Sequence, residues 1–121
     1  MADRVVLCGA NSYEQKYYFN KDFALVPEEI QDEIHIICVM FTEEIGGIFT
    51  MVFDEDGSLK IETQAADSDY LYDEIGARLY VDKITRYRQD LFRSLEMFYR
   101  VFVLGEKLED IEKKMSDDED F

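Results

Sequence analysis

The sequence predicts an α+β fold: a small antiparallel sheet built on one β-hairpin, packed against two or three helices including a long C-terminal helix. Three observations carry that prediction. Two segments of strand period flank the turn "DEDG" at Asp54–Gly57. Two other stretches, one opening at Pro27 and one closing at Gly105, repeat their apolar residues at helical spacing. The 121 residues are 47% hydrophobic and 14% aromatic but contain one proline and six glycines, which provides core material without the loops of an all-β sandwich.

Taken in order, "VVLC" at Val5–Cys8 is apolar and β-branched and reads as a short strand. "SYEQ" has the form of a capping box, with Ser12 facing the amides of a following turn and Gln15 reaching back. It would open a short helix through "YEQKYYF" ending near Asn20, although the same aromatic run fits an edge strand. In "VPEEIQDEIHIICVMFTEEIGG", Pro27 suits a first helical turn, and Glu28 and Glu29 complement the helix dipole. Ile30, Ile34, Ile37, Cys38, Phe41 and Ile45 form one face, and Gly46 supplies a left-handed stop. Ile36 and Val39 fall on the other side, which suggests a helix covered twice. The alternative is a strand through Ile36–Phe41.

"IFTMVF" then alternates Ile48, Thr50 and Val52 against Phe49, Met51 and Phe53. Both sets are largely apolar, so this strand is expected to be covered on both sides or nearly so. In "SLKIET" the residues Leu59, Ile61 and Thr63 alternate with polar ones, and Gly57 provides the positive φ of the turn between the two strands. "AADSDYLYDEIG" opens a further helix capped by Asp67 or Ser68. Tyr80, Ile84, Tyr87, Leu91, Leu95, Phe98 and Phe102, widened by Phe92 and Tyr99, mark a long amphipathic helix ending at Gly105. It runs either unbroken from Asp69 or with a break near Gly76. Residues 1–105 are expected to form one domain and 106–121 a charged, partly disordered C-terminal tail. A lone hairpin is marginal, so the N-terminal segment or a second subunit is expected to extend the sheet.

With 28 acidic and 13 basic residues the formal charge is −15. Such a surface repels phosphate backbones and anionic lipid, so neither nucleic acid nor membrane is an expected partner. A protein partner is expected instead, a basic one being the charge-complementary choice. The first residues lack the pattern of a signal peptide, and no window approaches the roughly 18 apolar residues of a membrane span, so a cytoplasmic protein is expected. Cys8 and Cys38 are the two cysteines, expected to be reduced structural thiols.

Each candidate site has a plainer rival. "DEDGS" resembles part of a calcium loop, yet with Gly57 at position six the first and twelfth positions fall on Val52 and Thr63, neither of them a ligand. A hairpin turn explains it. Asp69 and Asp73 stand one helical turn apart beside Glu74, a carboxylate pair with no histidine, which a helix start accounts for. His35 precedes Cys38 by one turn and, with Cys8, could form a nucleophile–base pair if the fold assembled them, but no third group orients the imidazole. "CGANS" and "EIGGIF" lack the spacing and the lysine of a phosphate loop. No metal, cofactor or catalytic residue is therefore assigned. The one patterned charge feature is a stripe of Arg86, Arg93 and Arg100, with Arg78 near the same azimuth, opposite the core stripe. It is a candidate interaction surface for acidic groups, or else a solvated face with pairs such as Asp82–Arg86 and Glu96–Arg100.

Taken together, "VVLCGANSYEQKYYFN", "VPEEIQDEIHIICVMFTEEIGGIFTMVFDEDGSL", "DYLYDEIG" and "LFRSLEMFYRVFVLGE" resemble an uncharacterised family of short acidic proteins from anaerobic Gram-positive bacteria, a domain of unknown function. The resemblance spans nearly all of residues 4–106. It implies a cytoplasmic protein and brings no activity or residue role. A non-enzymatic protein-interaction module is the expected function, with a homodimer among its expected assemblies. An acidic chaperone or inhibitor masking a basic partner is the alternative, and a carboxylate- or Cys-dependent enzyme the second.

Overall fold

Strand period and turn chemistry build the central hairpin. In the computed structural model, which describes residues 4–105, β3 covers Ile48–Phe53 and β4 Leu59–Gln64. The Gly57 amide donates to the Asp54 carbonyl at 2.9 Å, and Gly57 takes φ 88°. The N-terminal segment supplies two more strands, β1 at Val5–Asn11 and β2 at Lys16–Phe19. Tyr13–Phe19 is thus a turn and an edge strand, not a helix. Asn11 rather than Ser12 accepts the turn amides, from Tyr13 at 2.9 Å and Glu14 at 3.2 Å, and Gln15 takes the left-handed φ of 54°. All neighbours pair antiparallel in the order β2–β1–β3–β4.

The first helix, α1, covers Glu28–Glu44, so Ile36–Phe41 is helical and the strand alternative falls. Pro27 caps it without a side-chain bond, and Gly46 follows its end at φ 92°. The second helix, α2, starts at Glu74, well after Asp67 and Ser68. Asp73 caps it by accepting the Gly76 amide at 2.9 Å, and the turns at Asp67 and Ser68 belong to the preceding loop. Tyr72 and Ala77 flank that cap in the manner of a hydrophobic staple, both joining the core.

The long C-terminal stripe is two helices. α2 ends at Tyr87, Arg88 leaves helical backbone at ψ 34°, and α3 covers Gln89–Phe102. The break re-aims the chain: α2 contributes Ala77, Tyr80, Val81 and Ile84 to the core, while α3 contributes Leu91, Phe92, Leu95 and Tyr99. Tyr87, expected within the stripe, is 69% exposed. Arg88 pairs with Glu33 of α1 at 3.1 Å.

Directly paired residues share a sheet face, so Cys8, Ala10, Phe49, Met51, Phe53, Leu59 and Ile61 point the same way. Every helix packs on that face. Phe41 of α1 lies 4.8 Å from Phe49 and meets Tyr80 of α2 edge-on at 5.4 Å, and Tyr99 of α3 stacks on Phe53 at 4.3 Å. Phe23, buried in a short 3-10 turn at Lys21–Phe23, closes the same end against Phe53. A register shift between Val6 and Cys8 lets Leu7 and Cys8, although consecutive, both be buried.

The opposite face holds Val6, Tyr18, Thr50, Val52, Lys60 and Glu62, and no described element covers it. β3 is nevertheless nearly covered on both sides, as expected, since none of its residues is exposed, and the cover on this face is local. Val52 is buried outside the main core, in line with Arg4, which bonds to Asp54 at 3.1 Å and to Glu62 and so crosses above it. Long polar side chains substitute for a second layer. Residues 106–121, expected to be a charged tail, lie outside the described residues.

Candidate functional site

The predicted basic stripe spans two helices. Arg86 sits on α2 while Arg93 and Arg100 sit on α3, and the break at Arg88 separates them. Arg86 and Arg93 are exposed. Arg100 is half-buried and lies across the β3–β4 turn, so close that a Cβ on Gly57 would fall 3.2 Å from its Cγ and Nε. It belongs to the packing of α3 on the hairpin. The suggested internal pairs differ as well: Asp82 and Arg86 make no ion pair among the described residues, and the Glu96 carboxylate accepts the Leu59 amide at 2.8 Å, closing an edge position of β4.

The carboxylate clusters are engaged locally. Asp54 faces Arg4 and Lys60, and Asp56 accepts the Ser58 amide at 2.9 Å, which holds its carboxyl below the usual range. Asp69 and Asp73 both precede α2, so they are not on one helical face. Asp69 accepts the Tyr13 hydroxyl at 2.6 Å and the Leu71 amide at 3.2 Å, tying the β1–β2 turn to the β4–α2 loop. That hydroxyl also accepts the Ala66 amide at 3.0 Å. Donation to Asp69 raises the Tyr13 phenol above its ordinary pKa. Among the described residues, no three His, Cys, Asp or Glu side chains are placed to hold a metal ion.

The histidine and the cysteines behave otherwise. Cys8 lies on β1, next to the strand bulge, and Cys38 on the sheet-facing side of α1, so the fold brings their sulfurs to 3.7 Å with both side chains fully buried. The contact with Cys8 and burial push the Cys38 thiol far above its ordinary pKa. Tyr17, on β2 opposite Ala10, places its hydroxyl beside the Cys8 sulfur, without a geometrically formed hydrogen bond and with no other partner among the described residues. Burial first, and then the two sulfurs, raise its pKa above the usual phenol value. Its ring stacks on the exposed His35 imidazole, with centroids 4.0 Å apart and planes within 17°. Tyr17 and His35 also line a cleft of about 560 Å³, with Lys16, Val39, Thr42 and Glu43 around them. Chemically, this is a dithiol sealed under an aromatic pair. The raised Cys38 thiol is not poised as a nucleophile, and the His35 ring stacks on Tyr17.

One apolar surface is unaccounted for by the core. Tyr70 and Leu71 before α2, and Ile75 and Leu79 one turn apart on it, are 92%, 95%, 71% and 64% exposed. Of Ile36 and Val39, expected on a second covered side of α1, Ile36 is 57% exposed beside Met40 at 47% while Val39 is half-buried at the Tyr17–His35 cleft, so that side is only partly covered. A second apolar concavity of about 340 Å³ lies between Pro27, Ile30, Leu95, Phe98 and Phe102.

No curated protein and no solved structure matches the chain. The profile of a family of unknown function, DUF6145, matches residues 4–107, which contain every strand, helix and cleft described above, and the chain therefore belongs to that family.

Proposed function

We infer that the chain is a non-enzymatic, cytoplasmic protein-interaction module, and that its simplest partner is a second copy of itself. The observation that carries this reading is the exposed row Tyr70, Leu71, Ile75 and Leu79. Scattered apolar side chains are ordinary on any surface, but four such residues within ten positions, flanked by acids, match the composition of a docking face with a polar rim. Two-fold closure is the commonest way to hide one. The opposing term is repulsion between two chains of −15 each, which salt screens beyond about 8 Å. Arg86 and Arg93, exposed on α2 and α3, are available to face acids across such an interface.

Sedimentation velocity at tens of micromolar, in low and high salt, tests the reading. A two-chain species in both buffers is expected, and Leu79→Lys should return it to single chains. A single-chain species in both buffers would refute self-association. Weakening with salt would assign the contact to the arginines rather than to the apolar row. A second reading, an acidic chaperone or inhibitor masking a basic partner, draws on the charge of −15 and on the acids Asp67, Asp69 and Glu74, which line a cleft of about 560 Å³ between β4 and α2. It predicts a basic partner whose binding falls steeply with salt. The reading as a carboxylate- or Cys-dependent enzyme has the least support, because the thiols are sealed and Asp54, Asp69 and Asp73 already accept bonds from neighbouring groups.

A further inference from the structure

We propose that Cys8 and Cys38 are a convertible dithiol: a small-molecule disulfide admitted through the Tyr17–His35 cleft oxidises them to an intramolecular disulfide that staples β1 to α1. Three observations carry this, none of them the exposure of a cysteine. The sulfurs already touch at 3.7 Å across the sheet–helix interface, so the bond needs a closing movement of under about 2 Å. No other cysteine exists in the chain to compete for either thiol. On the cleft side the Tyr17 ring lies between them and solvent, carried by a strand of four residues at the sheet edge and resting on a histidine that is itself exposed.

The reaction balances through thiol–disulfide exchange. One cysteine loses its proton to solvent, and its thiolate attacks one sulfur of the reagent RSSR, releasing RS⁻ and leaving a mixed disulfide. The second cysteine loses its proton, attacks the protein sulfur of that mixed disulfide and expels the second RS⁻. The S–S bond of the reagent is broken and reduced to two thiols, while the Cys8–Cys38 bond forms and the pair is oxidised by two electrons. A thiolate is costly where these sulfurs lie, so the closed state is slow to react. Swinging the Tyr17 ring off His35 admits both water and reagent, and the mixed disulfide has room to form only in that open state. Once the first step is complete, the neighbouring thiol is closer than any second reagent molecule, so the cyclic product wins over a second adduct.

Oxidised glutathione on the full chain tests the proposal. The expected product has the mass of a single chain less about 2 Da, two hydrogens, and its digest contains a Cys8–Cys38 linked pair that dithiothreitol reverses. Stable glutathione adducts on both cysteines, or cross-linking between chains, would overturn the staple. Tyr17→Ala should speed the reaction roughly tenfold, because it opens the local cover without requiring global unfolding. Leu95→Ala, which loosens the distant end of the core, is the control for general destabilisation. If it accelerates oxidation as much as Tyr17→Ala at matched urea-melt stability, the cleft is not the entry route. Should Tyr17→Ala fail to fold, Tyr17→Ser, which removes the ring while keeping a strand-compatible side chain, takes its place, and a rate unchanged from the parent would likewise exclude that route.

Discussion

Replacing Gly47 by alanine should destabilise the fold far more than the same change at its neighbour Gly46, and the contrast isolates one steric contact. Both glycines have positive φ, 92° at Gly46 and 73° at Gly47. An alanine at either one bears the left-handed cost of about 1–2 kcal/mol, reduced by about 0.4–1 kcal/mol because the unfolded chain is also stiffened. Around Gly46 that is all, since its added Cβ would meet only the Ser12 hydroxyl at 3.9 Å. At Gly47 the Cβ would fall 2.6 Å from both the Gln64 carbonyl oxygen and the Tyr72 ring. The ring can swing, but Gln64 is fixed by its pairing with Ile48, and the Gly47 carbonyl is itself held by the Ser12 amide at 2.9 Å. Forcing that overlap adds about 1–3 kcal/mol. The expected costs are therefore about 1 kcal/mol for Gly46→Ala and about 2–4 kcal/mol for Gly47→Ala. Urea melts with a common slope measure both. Equal midpoints for the two variants would refute the close approach of β4 and Tyr72 to this turn.

Leu95→Ala should cost about 2–5 kcal/mol in the same melts, since Leu95 is 1% exposed at the centre of the α3 contact; a loss under 1 kcal/mol would misplace the core. Stability should fall as pH rises above about 9. Cys38 and Tyr17 keep their protons in the folded chain beyond the ordinary values of 9.0 and 10.0 at which the unfolded chain releases them. The unfolded state then binds fewer protons, so Cys38 alone gives a downward slope of at most about 1.4 kcal/mol per pH unit, with a smaller part from half-buried Tyr17. Cys38→Ala should flatten that decline, and a profile unchanged by it would argue against the sealed thiol. Calcium at millimolar concentration should give no saturable heat at the Asp54–Gly57 turn; micromolar binding abolished by Asp56→Asn would reverse that expectation.

Where sequence and structure agree, local and global signals coincide. α1 was legible because Pro27, the first-turn glutamates and the Ile34, Cys38 and Phe41 stripe all point the same way. The hairpin was legible because alternation and the glycine turn agree. The β1–β2 region was ambiguous because its tyrosines fit a helix face or an edge strand equally well, and only pairing with β1 decides. The cap of α2 was missed in a window holding several Asp and Ser residues; the local signal was Asp73 three positions before Gly76, which leaves the capped amide unobstructed. Nothing local announces the break at Arg88, where apolar spacing continues through Ile84, Tyr87 and Leu91 with neither glycine nor proline. Sequence alone names Cys8, His35 and Cys38 but leaves open whether the fold brings the two sulfurs together. That depends on the β1 bulge beside Cys8 and on how α1, with Cys38 on its apolar face, docks on the sheet, which pairing and packing across the fold decide.

The strand order has a consequence for how the chain finds its fold. β1–β2 and β3–β4 are each joined by a tight turn, so each hairpin can form while its neighbours are still unfolded. The pairing that unites them, β1 with β3, matches Cys8 to Met51 and must close a loop containing β2 and all of α1. That step carries most of the loop-closure entropy and sets the topological barrier, so it should govern the folding rate. Changes within either hairpin should then chiefly alter unfolding, whereas changes at Ala10, Phe49 or Phe41, which meet where the two halves join, should slow folding itself.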